Sequence, residues 1–239
     1  MTDSAIILDV VRTIDRSSTA ETAIQSFMGF AGRFGFERFY ITQVVNPLSA
    51  GASKAMMHTD WPDEIIKPRM NGIELLRDPV VQYGMRSRFA FDWEEAYKHA
   101  SRYGRTMMDE TKAHRLKCGY SFPMRRPGAP VGGVSIGGER IEMSREEISG
   151  LELAAMHVYA RLERLHGQSY EDDVKPLSEQ EIDVLQYSAL GKTAWEIAIV
   201  LGITESGVKK ALQRAREKLD AVNTAQACAC AISRDLILP

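Results

Sequence analysis

Residues 177–219 read LSEQEIDVLQYSALGKTAWEIAIVLGITESGVKKALQRAREKL, and this stretch contains two helix-start signals of the same kind. Ser178 is followed three residues later by Glu181, and Thr193 is followed at the same spacing by Glu196. In such a capping box the hydroxyl accepts a hydrogen bond from a free backbone amide, and the carboxylate accepts one from the amide of the capping residue. The pattern therefore predicts two helices, one starting after each box.

The second of these helices is short and is followed by a tight turn. We predict a helix over residues 194–201, a turn at Gly202, and a third helix over residues 205–219 that Thr204 can cap. A fourth helix is predicted over about residues 224–234. Because two helices joined by a tight turn that contains glycine form a helix-turn-helix, this part is predicted to be an all-α four-helix domain.

The third helix carries a marked charge pattern. Residues 204–219 contain five cations and two anions, which sum to +3, while Val208 and Leu212 can face a core. Such cationic faces are common as solvated surface, but a helix fits the major groove of DNA, where Lys, Arg and Gln contact phosphates and bases. The position of this third helix after two capped helices favours the interpretation that it binds DNA. The candidate DNA-binding residues are Lys192, Thr193, Ser206, Lys209, Lys210, Gln213 and Arg214.

The sequence upstream of this domain changes in character. Residues 166–176 are polar, end in proline and lack apolar periodicity, which predicts a linker. We therefore predict a first domain over residues 1–165 and a helix-turn-helix domain over residues 177–239.

The first domain mixes helices and strands. Strands are predicted over residues 38–45, 119–124 and 131–136, where β-branched, aromatic and turn residues concentrate. Helices are predicted before and after them, including residues 23–34 and about 107–116. The fold class is thus α+β: an N-terminal α/β/α sandwich with an antiparallel sheet, of the kind that sensor domains use, plus the all-α C-terminal domain.

A long helix is predicted over residues 144–165. Ser144 and Glu147 form a further capping box, and apolar residues from Ile148 to Leu165 recur at alternating spacings of three and four. Such a stripe can pack onto the sheet. It can also pair with a partner helix, and we expect a homodimer in which both uses occur on different faces.

Composition excludes several classes of protein. The chain has 239 residues and 26.7 kDa, with 30 Lys and Arg against 32 Asp and Glu, so it is not coated in positive charge. It lacks an uninterrupted apolar run of about 18 residues, so no membrane span is expected. Asp3, Asp9 and Asp15 lie where a signal peptide would need positive charge and an uncharged core, which favours the cytoplasm.

The spacing of reactive residues predicts neither an enzyme nor a metal site. Cys118, Cys228 and Cys230 form no disulfide framework and no Cys-x-x-Cys motif, and the five histidines lie far apart. Nucleotide-binding loops and a nucleophile–base constellation are also missing from the sequence. We expect no catalytic residue, no metal and no cofactor.

The C-terminal motifs resemble those of one family. The runs LSEQEIDVL, EIA and LGI within residues 177–203 are similar to the four-helix DNA-binding domain of the LuxR family. The resemblance covers about residues 175–237. It implies that Lys192 and Thr193 hold phosphates and that the helix after Thr204 enters the major groove.

The first domain resembles the autoinducer-binding domain of quorum-sensing LuxR-type regulators. This resemblance implies a closed pocket for an acyl-homoserine lactone, in which Asp78 accepts the ligand amide N–H and Trp93 packs on the lactone ring. It also places Trp61 near the acyl carbonyl and Ser135 on the amide side. Apart from the resemblance, Asp78-Pro79 is typical of a helix start or turn. The residues that carry the resemblance are Trp61-Pro62, Asp78-Pro79-Val80, Phe91-Asp92-Trp93, Gly119 and Ser135.

Four positions depart from the family pattern. Gly207 stands where the family usually has Thr, and Ala211 where it often has His. In the pocket, Ile65 replaces a Trp whose indole N–H holds the lactone carbonyl, and Arg69 replaces a Tyr that lines the acyl chain. Arg69 is expected either to point to solvent or to change the polarity of the cavity. The candidate ligand-binding residues are Trp61, Ile65, Arg69, Asp78, Trp93 and Ser135.

These observations predict a cytoplasmic, two-domain, homodimeric transcription regulator that binds double-stranded DNA and no membrane. Residues 1–165 form its autoinducer-binding-like sensor and dimerisation domain. Its ligand is an acyl-homoserine lactone or an atypical small molecule, or it folds and acts without one. The alternative is an anti-activator that pairs with another LuxR-type regulator and blocks its DNA binding.

Overall fold

The computed structural model describes residues 4–43, 56–69, 72–125, 131–166, 176–234 and 236–238. The described residues fall into two compact units, the first up to residue 166 and the second from residue 176. The predicted linker over residues 166–176 lies outside the described residues except at its two ends, and it stays a prediction.

The first unit contains one antiparallel sheet in the order β2-β1-β5-β4-β3. Its strands are β1 (Arg38–Gln43), β2 (Met57–Thr59), β3 (Phe91–Asp92), β4 (Cys118–Met124) and β5 (Gly132–Gly138). Its helices are α1 (Ser4–Arg16), α2 (Ala20–Ala31), α3 (Asp63–Arg69), α4 (Gly72–Arg77), α5 (Pro79–Gly84), α6 (Trp93–Lys98), α7 (Arg102–Lys112) and α8 (Arg145–Leu165).

Helices cover both faces of this sheet. Helices α1, α2 and α8 pack on one face, where Phe27, Ile136 and Leu151 belong to one buried cluster. On the other face, α3, α6 and α7 contribute to a second cluster that contains Phe91 and Trp93. This arrangement confirms the predicted α/β/α sandwich with an antiparallel sheet.

Helix α8 uses its apolar stripe within the chain. Ser144 and Glu147 form the predicted capping box. Leu151, Val158 and Leu162 on the stripe are at most 1% exposed and belong to the cluster that α8 forms with α1, α2 and the sheet. The packing interpretation of the stripe is therefore confirmed, whereas its use in a dimer stays a prediction.

Several boundaries differ from the sequence-based prediction. Helix α2 gives way to a 3-10 turn at Gly32–Phe34 instead of continuing as α-helix. Helix α7 starts earlier than predicted because Ser101 caps it, and it ends before Arg115, which has a positive φ of 66°. Strand β2, helices α3, α4 and α6, and strand β3 are short and have no counterpart in the prediction. Helix α5 begins at the helix start that Asp78-Pro79 indicates.

In the described part of the second unit, helices are the only regular secondary structure. It consists of α9 (Glu179–Ala189), α10 (Ala194–Leu201), α11 (Glu205–Leu219) and α12 (Thr224–Ser233). Both predicted capping boxes form, at Ser178 and at Thr193, and Thr204 caps α11. Gly202 has a φ of +65° in the turn between α10 and α11, a conformation that favours glycine. The predicted four-helix arrangement is confirmed.

Candidate ligand cavity and nucleic-acid interface

The first unit contains a cavity between its sheet and one helical layer. Strands β1, β4 and β5 form one wall, and α3, α5, α6 and α7 contribute to the other. Small-molecule sites are mainly apolar with a few precisely placed polar groups, which is the character of this lining.

Arg69 and Asp78 form a buried ion pair in the cavity wall. Arg69 Nε lies 2.7 Å from Asp78 Oδ2, and the two side chains are 5% and 9% exposed. Arg69 Nη1 also donates to the backbone oxygen of Ile65 at 2.8 Å. The guanidinium is thus held from two sides, and Arg69 changes the polarity of the cavity instead of pointing to solvent.

The other oxygen of Asp78 caps a helix. Asp78 Oδ1 accepts the backbone amides of Val80 at 2.8 Å and Val81 at 3.4 Å, at the start of α5. The helix-start interpretation of the Asp78-Pro79 dipeptide is therefore confirmed. The carboxylate also lines the cavity, but its bond to a ligand amide stays a prediction. Its negative charge is balanced by Arg69 inside the protein.

Trp93 is held by a closed set of hydrogen bonds. Its Nε1 donates to Ser121 Oγ and Ser135 Oγ, each at 3.1 Å, and the two hydroxyls lie 2.7 Å apart. The sheet register explains this placement, since Ser121 and Ser135 are directly paired across β4 and β5. Gly119 and Gly137 make room for the indole, because a Cβ at either position would overlap the ring.

Trp61 and Tyr40 complete an aromatic wall. The Trp61 ring lies 5.5 Å from that of Trp93 and 5.6 Å from that of Tyr40. Within the described part of the chain, Trp61 Nε1 is buried and has no hydrogen-bond partner. Burial, opposed by a hydrogen bond with Thr42, raises the pKa of Tyr40 to about 12, so its hydroxyl stays protonated at neutral pH.

The structure brings five of the six candidate ligand-binding residues to this cavity. Ile65 is not among the described lining residues. It lies in the buried cluster with Trp93, and only its backbone oxygen takes part, through Arg69. The others line the cavity: Trp61, Arg69, Asp78, Trp93 and Ser135.

Sequence reasoning missed Tyr40 and Ser121, which also line the cavity. Both pair directly with Ser135, Tyr40 from β1 and Ser121 from β4. Directly opposed residues in an antiparallel sheet project to the same face, so Ser135 implies its two neighbours once the register is known. The register itself was not available from the sequence.

The second unit presents α11 beyond the tight turn after α10. Val208 and Ala211 are fully buried against Val184 and Ile197, and Ala215 and Leu219 lie in a further core cluster. The opposite face of α11 is solvent-exposed. The candidate DNA-binding residues on it are Ser206, Lys209, Lys210, Gln213 and Arg214, and all five are exposed.

Several of these side chains have acidic partners within the unit. Lys209 Nζ lies 2.7 Å from Glu205 Oε1, and Arg214 Nε lies 3.5 Å from Glu181 Oε1. Lys218 Nζ binds the second oxygen of Glu181 at 2.7 Å. Burial acts to raise the pKa of Glu181, but the hydrogen bonds from Lys218 and Ser178 outweigh it, so its pKa lies below the ordinary value.

Lys192 and Thr193 lie at the start of α10. Thr193 Oγ1 accepts the backbone amide of Glu196 and donates to its carboxylate at 2.9 Å. Lys192 Nζ is 3.7 Å from the same carboxylate, and both residues are exposed. An exposed helix start with an adjacent Lys is a suitable phosphate contact, although Glu196 competes for the same donors.

Two kinds of feature are absent from the ranges that the structure describes. None of the described helices is long and apolar enough to cross a membrane. The same ranges hold no group of three or more His, Cys, Asp or Glu residues placed to bind a metal ion.

Two family descriptions match the chain. Residues 19–162 match the autoinducer binding domain, and residues 175–231 match the bacterial regulatory proteins of the luxR family. The transcriptional activator protein BjaR1 of Bradyrhizobium diazoefficiens is 27% identical over 234 residues, which cover 97% of this chain and 96% of BjaR1. The quorum sensing-dependent regulator RpaR of Rhodopseudomonas palustris is 28% identical over 234 residues, or 96% and 94% of the two chains.

A solved structure shares the fold over the full length. The crystal structure of Escherichia coli SdiA aligns with a TM-score of 0.70 at 20% identity, covering 99% of each chain. A second SdiA structure, in complex with octanoyl-rac-glycerol, aligns with a TM-score of 0.66 at the same identity, covering 98% of this chain and 97% of that one.

Proposed function

Because the chain belongs to the LuxR family of quorum-sensing transcription regulators, we propose that it binds double-stranded DNA as a homodimer through helix α11. In this proposal it acts in the cytoplasm and is not an enzyme. The first unit controls DNA binding through a small molecule held in the cavity, an acyl-homoserine lactone or an atypical ligand, or through its own folding energy.

The observation that carries the proposal is the division of α11 into two faces. One face is buried through Val208, Ala211 and Ala215, so it cannot turn outward without unfolding the unit. The other face leaves Lys209 and Arg214 exposed, next to Gln213. Lys, Arg and Gln are the side chains that contact phosphates, guanine and adenine when a recognition helix lies in the major groove.

The test is a double substitution on the exposed face. A preferred duplex is first selected from a random-sequence DNA library with the full-length protein. The Lys209→Ala, Arg214→Ala variant should then bind that duplex about a hundredfold more weakly or worse at fixed salt. Its unfolding should be unchanged, since Lys218 still pairs with Glu181 when Arg214 is removed.

A matched control removes the same charge elsewhere. Lys98 and Lys112 are exposed lysines of the first unit with acidic neighbours of their own. The Lys98→Ala, Lys112→Ala variant should bind the selected duplex as the unaltered protein does. Equal affinities for the α11 variant and the unaltered protein would refute the assignment of this helix.

The same experiment addresses the anti-activator alternative. That alternative draws support from the intramolecular pairs Lys209–Glu205 and Arg214–Glu181, which oppose two cations of the exposed face. An anti-activator would enrich no duplex from the library, yet it would form a heterodimer with a second LuxR-type regulator and lower the DNA affinity of that regulator.

A further inference from the structure

We propose that the cavity selects a ligand whose polar group is an ester or ketone, a hydrogen-bond acceptor without an amide N–H. The inference rests on the proposed function, because it names the ligand class of the same cavity. It follows from the hydrogen bonds of the cavity wall. Asp78 and Trp93 Nε1 already have partners, whereas Trp61 Nε1 has none among the described residues.

Asp78 is the residue that would receive a ligand amide N–H, and its carboxylate oxygens already have partners. Asp78 Oδ2 accepts Arg69 Nε at 2.7 Å, and Oδ1 accepts the amides of Val80 and Val81. The Arg69 bond joins two charged groups in a site that is nearly closed to solvent. A ligand amide at Oδ2 would replace a hydrogen bond between two charged groups with one in which only the carboxylate is charged, which is weaker.

Arg69 is held in place by a second hydrogen bond. Its Nη1 is bonded to the backbone oxygen of Ile65 one helical turn earlier in α3, and the residue is only 4% exposed. Rotating the guanidinium away would break both bonds and leave Asp78 as an unpaired buried charge, which is strongly unfavourable. The ion pair therefore leaves Asp78 without an unpaired carboxylate oxygen to offer to a ligand amide N–H.

The two indole N–H donors of the aromatic wall differ in whether they have an acceptor. Trp93 Nε1 is satisfied by Ser121 and Ser135, which also bond to each other. Trp61 Nε1 is buried in a residue that lines the cavity, and it has no acceptor among the described residues. A buried N–H without a partner is costly, so a ligand oxygen that reaches it gains affinity.

These contacts allow the cavity to distinguish two ligands of almost identical shape, an ester and the corresponding amide. An ester and an amide both offer a carbonyl oxygen to Trp61. Only the amide brings an N–H that loses water on entry and competes with Arg69 for Asp78. Leaving one buried donor unsatisfied weakens binding by about tenfold or more.

The experiment compares an amide with its ester. The probes are N-octanoyl-homoserine lactone and 2-oxooxolan-3-yl octanoate, which differ only in N–H against O. Calorimetric titration of the full-length protein should show that the ester binds at least about tenfold more tightly. Tighter or equal binding of the amide overturns the inference, and so does the absence of binding by both probes.

Variants identify the residues responsible. Arg69→Leu frees Asp78 Oδ2 and should shift the preference toward the amide by about tenfold, whereas Arg77→Leu, at an exposed Arg paired with Glu74, should leave the ratio unchanged. Trp61→Phe tests the other contact of the inference and does not depend on the folding of Arg69→Leu. It keeps the aromatic ring but removes the donor, so it should weaken the binding of both probes by about tenfold while leaving the preference for the ester unchanged. Unchanged ester binding would overturn the role given to Trp61.

Failure of this inference is distinct from failure of the proposed function. Binding to the selected DNA duplex reports on α11 and is measured independently of either probe. A protein that binds DNA but prefers the amide refutes only the ligand inference. A protein that prefers the ester but enriches no duplex refutes only the DNA-binding proposal.

Discussion

Trp93 illustrates how one residue depends on neighbours that have no side chain. Its indole lies over Gly119 and Gly137 of adjacent strands, in the space that two Cβ atoms would otherwise fill. Ser121 and Ser135 then fix its orientation from the same face of the sheet. The aromatic wall of the cavity is thus built by small residues as much as by large ones.

This dependence gives a residue-scale prediction. Gly137→Ala should destabilise the first unit by about 1–3 kcal/mol, because the new methyl group overlaps the Trp93 ring and forces the side chain off its position. Gly133→Ala, in the same strand, is the control. Its Cβ would come no closer than 3.5 Å, to the backbone oxygen of Phe122, which is an ordinary contact. Urea unfolding of both variants measures the difference, and equal stabilities would contradict the account.

At the scale of elements, helix α11 carries an internal weakness at Gly207. The residue lies in the first turn, where Thr204 accepts its backbone amide at 3.0 Å. Glutamates occupy the equivalent positions after Ser178 and Thr193, so a side chain is compatible with this type of cap. Glycine lowers the stability of a helix relative to alanine because its unfolded chain has more freedom.

Gly207→Ala should therefore stabilise the second unit by about 0.5–1 kcal/mol. The added Cβ would lie 3.3 Å from Thr204 Oγ1, a close contact that the exposed Thr204 can relieve by a small shift. Gly202→Ala should act in the opposite direction, since Gly202 needs its positive φ of 65° for the turn. Thermal unfolding compares them, and a Gly207→Ala protein that melts earlier would show that the contact is not relieved.

The elements also show what could be predicted from the sequence. Helices α8, α10 and α11 were predicted closely because Ser144, Thr193 and Thr204 supply local start signals that do not depend on the rest of the fold. Helices α3 to α6 are only six or seven residues long, and contacts with the sheet and cavity hold them. Such segments span fewer than two helical turns, too few for apolar spacing to repeat, so that periodicity does not reveal them, although the start of α5 has a local signal at Asp78-Pro79.

The candidate site shows the same contrast between features that the local sequence specifies and features that depend on the tertiary fold. Asp78 and Trp93 were identified by a family resemblance, which compares residue types at successive positions of the sequence. The ion pair between Arg69 and Asp78 depends on where α3 and α5 meet, and the pairing of Ser121 with Ser135 depends on strand register. These are tertiary relations, and no spacing in the sequence specifies them.

At the scale of the whole molecule, the proposed homodimer needs an apolar surface that the single chain leaves uncovered. Helix α8 exposes Leu153 by 37% and Met156 by 54%, on the side away from its buried stripe. Large apolar residues three positions apart on a helix share a face. We expect this face to contribute to the dimer.

The corresponding test places charge on that face. Leu153→Glu with Met156→Glu should convert a dimer into a monomer, as measured by sedimentation, because two carboxylates would be buried at the interface in each protomer. Phe89→Glu, at an apolar residue that is 76% exposed outside α8, should leave the dimer intact. A double variant that still sediments as a dimer would place the interface elsewhere.

The pairing of Arg69 with Asp78 has a consequence for the biosynthesis of the protein. A receptor whose interior carboxylate stays unmatched until its signal arrives depends on that signal for a stable shape. Here the matching cation is encoded in the same chain, nine positions before the carboxylate. We therefore expect a nascent polypeptide to reach its folded shape in a cell that supplies no signal, so that any signal that binds acts on a protein that is already folded.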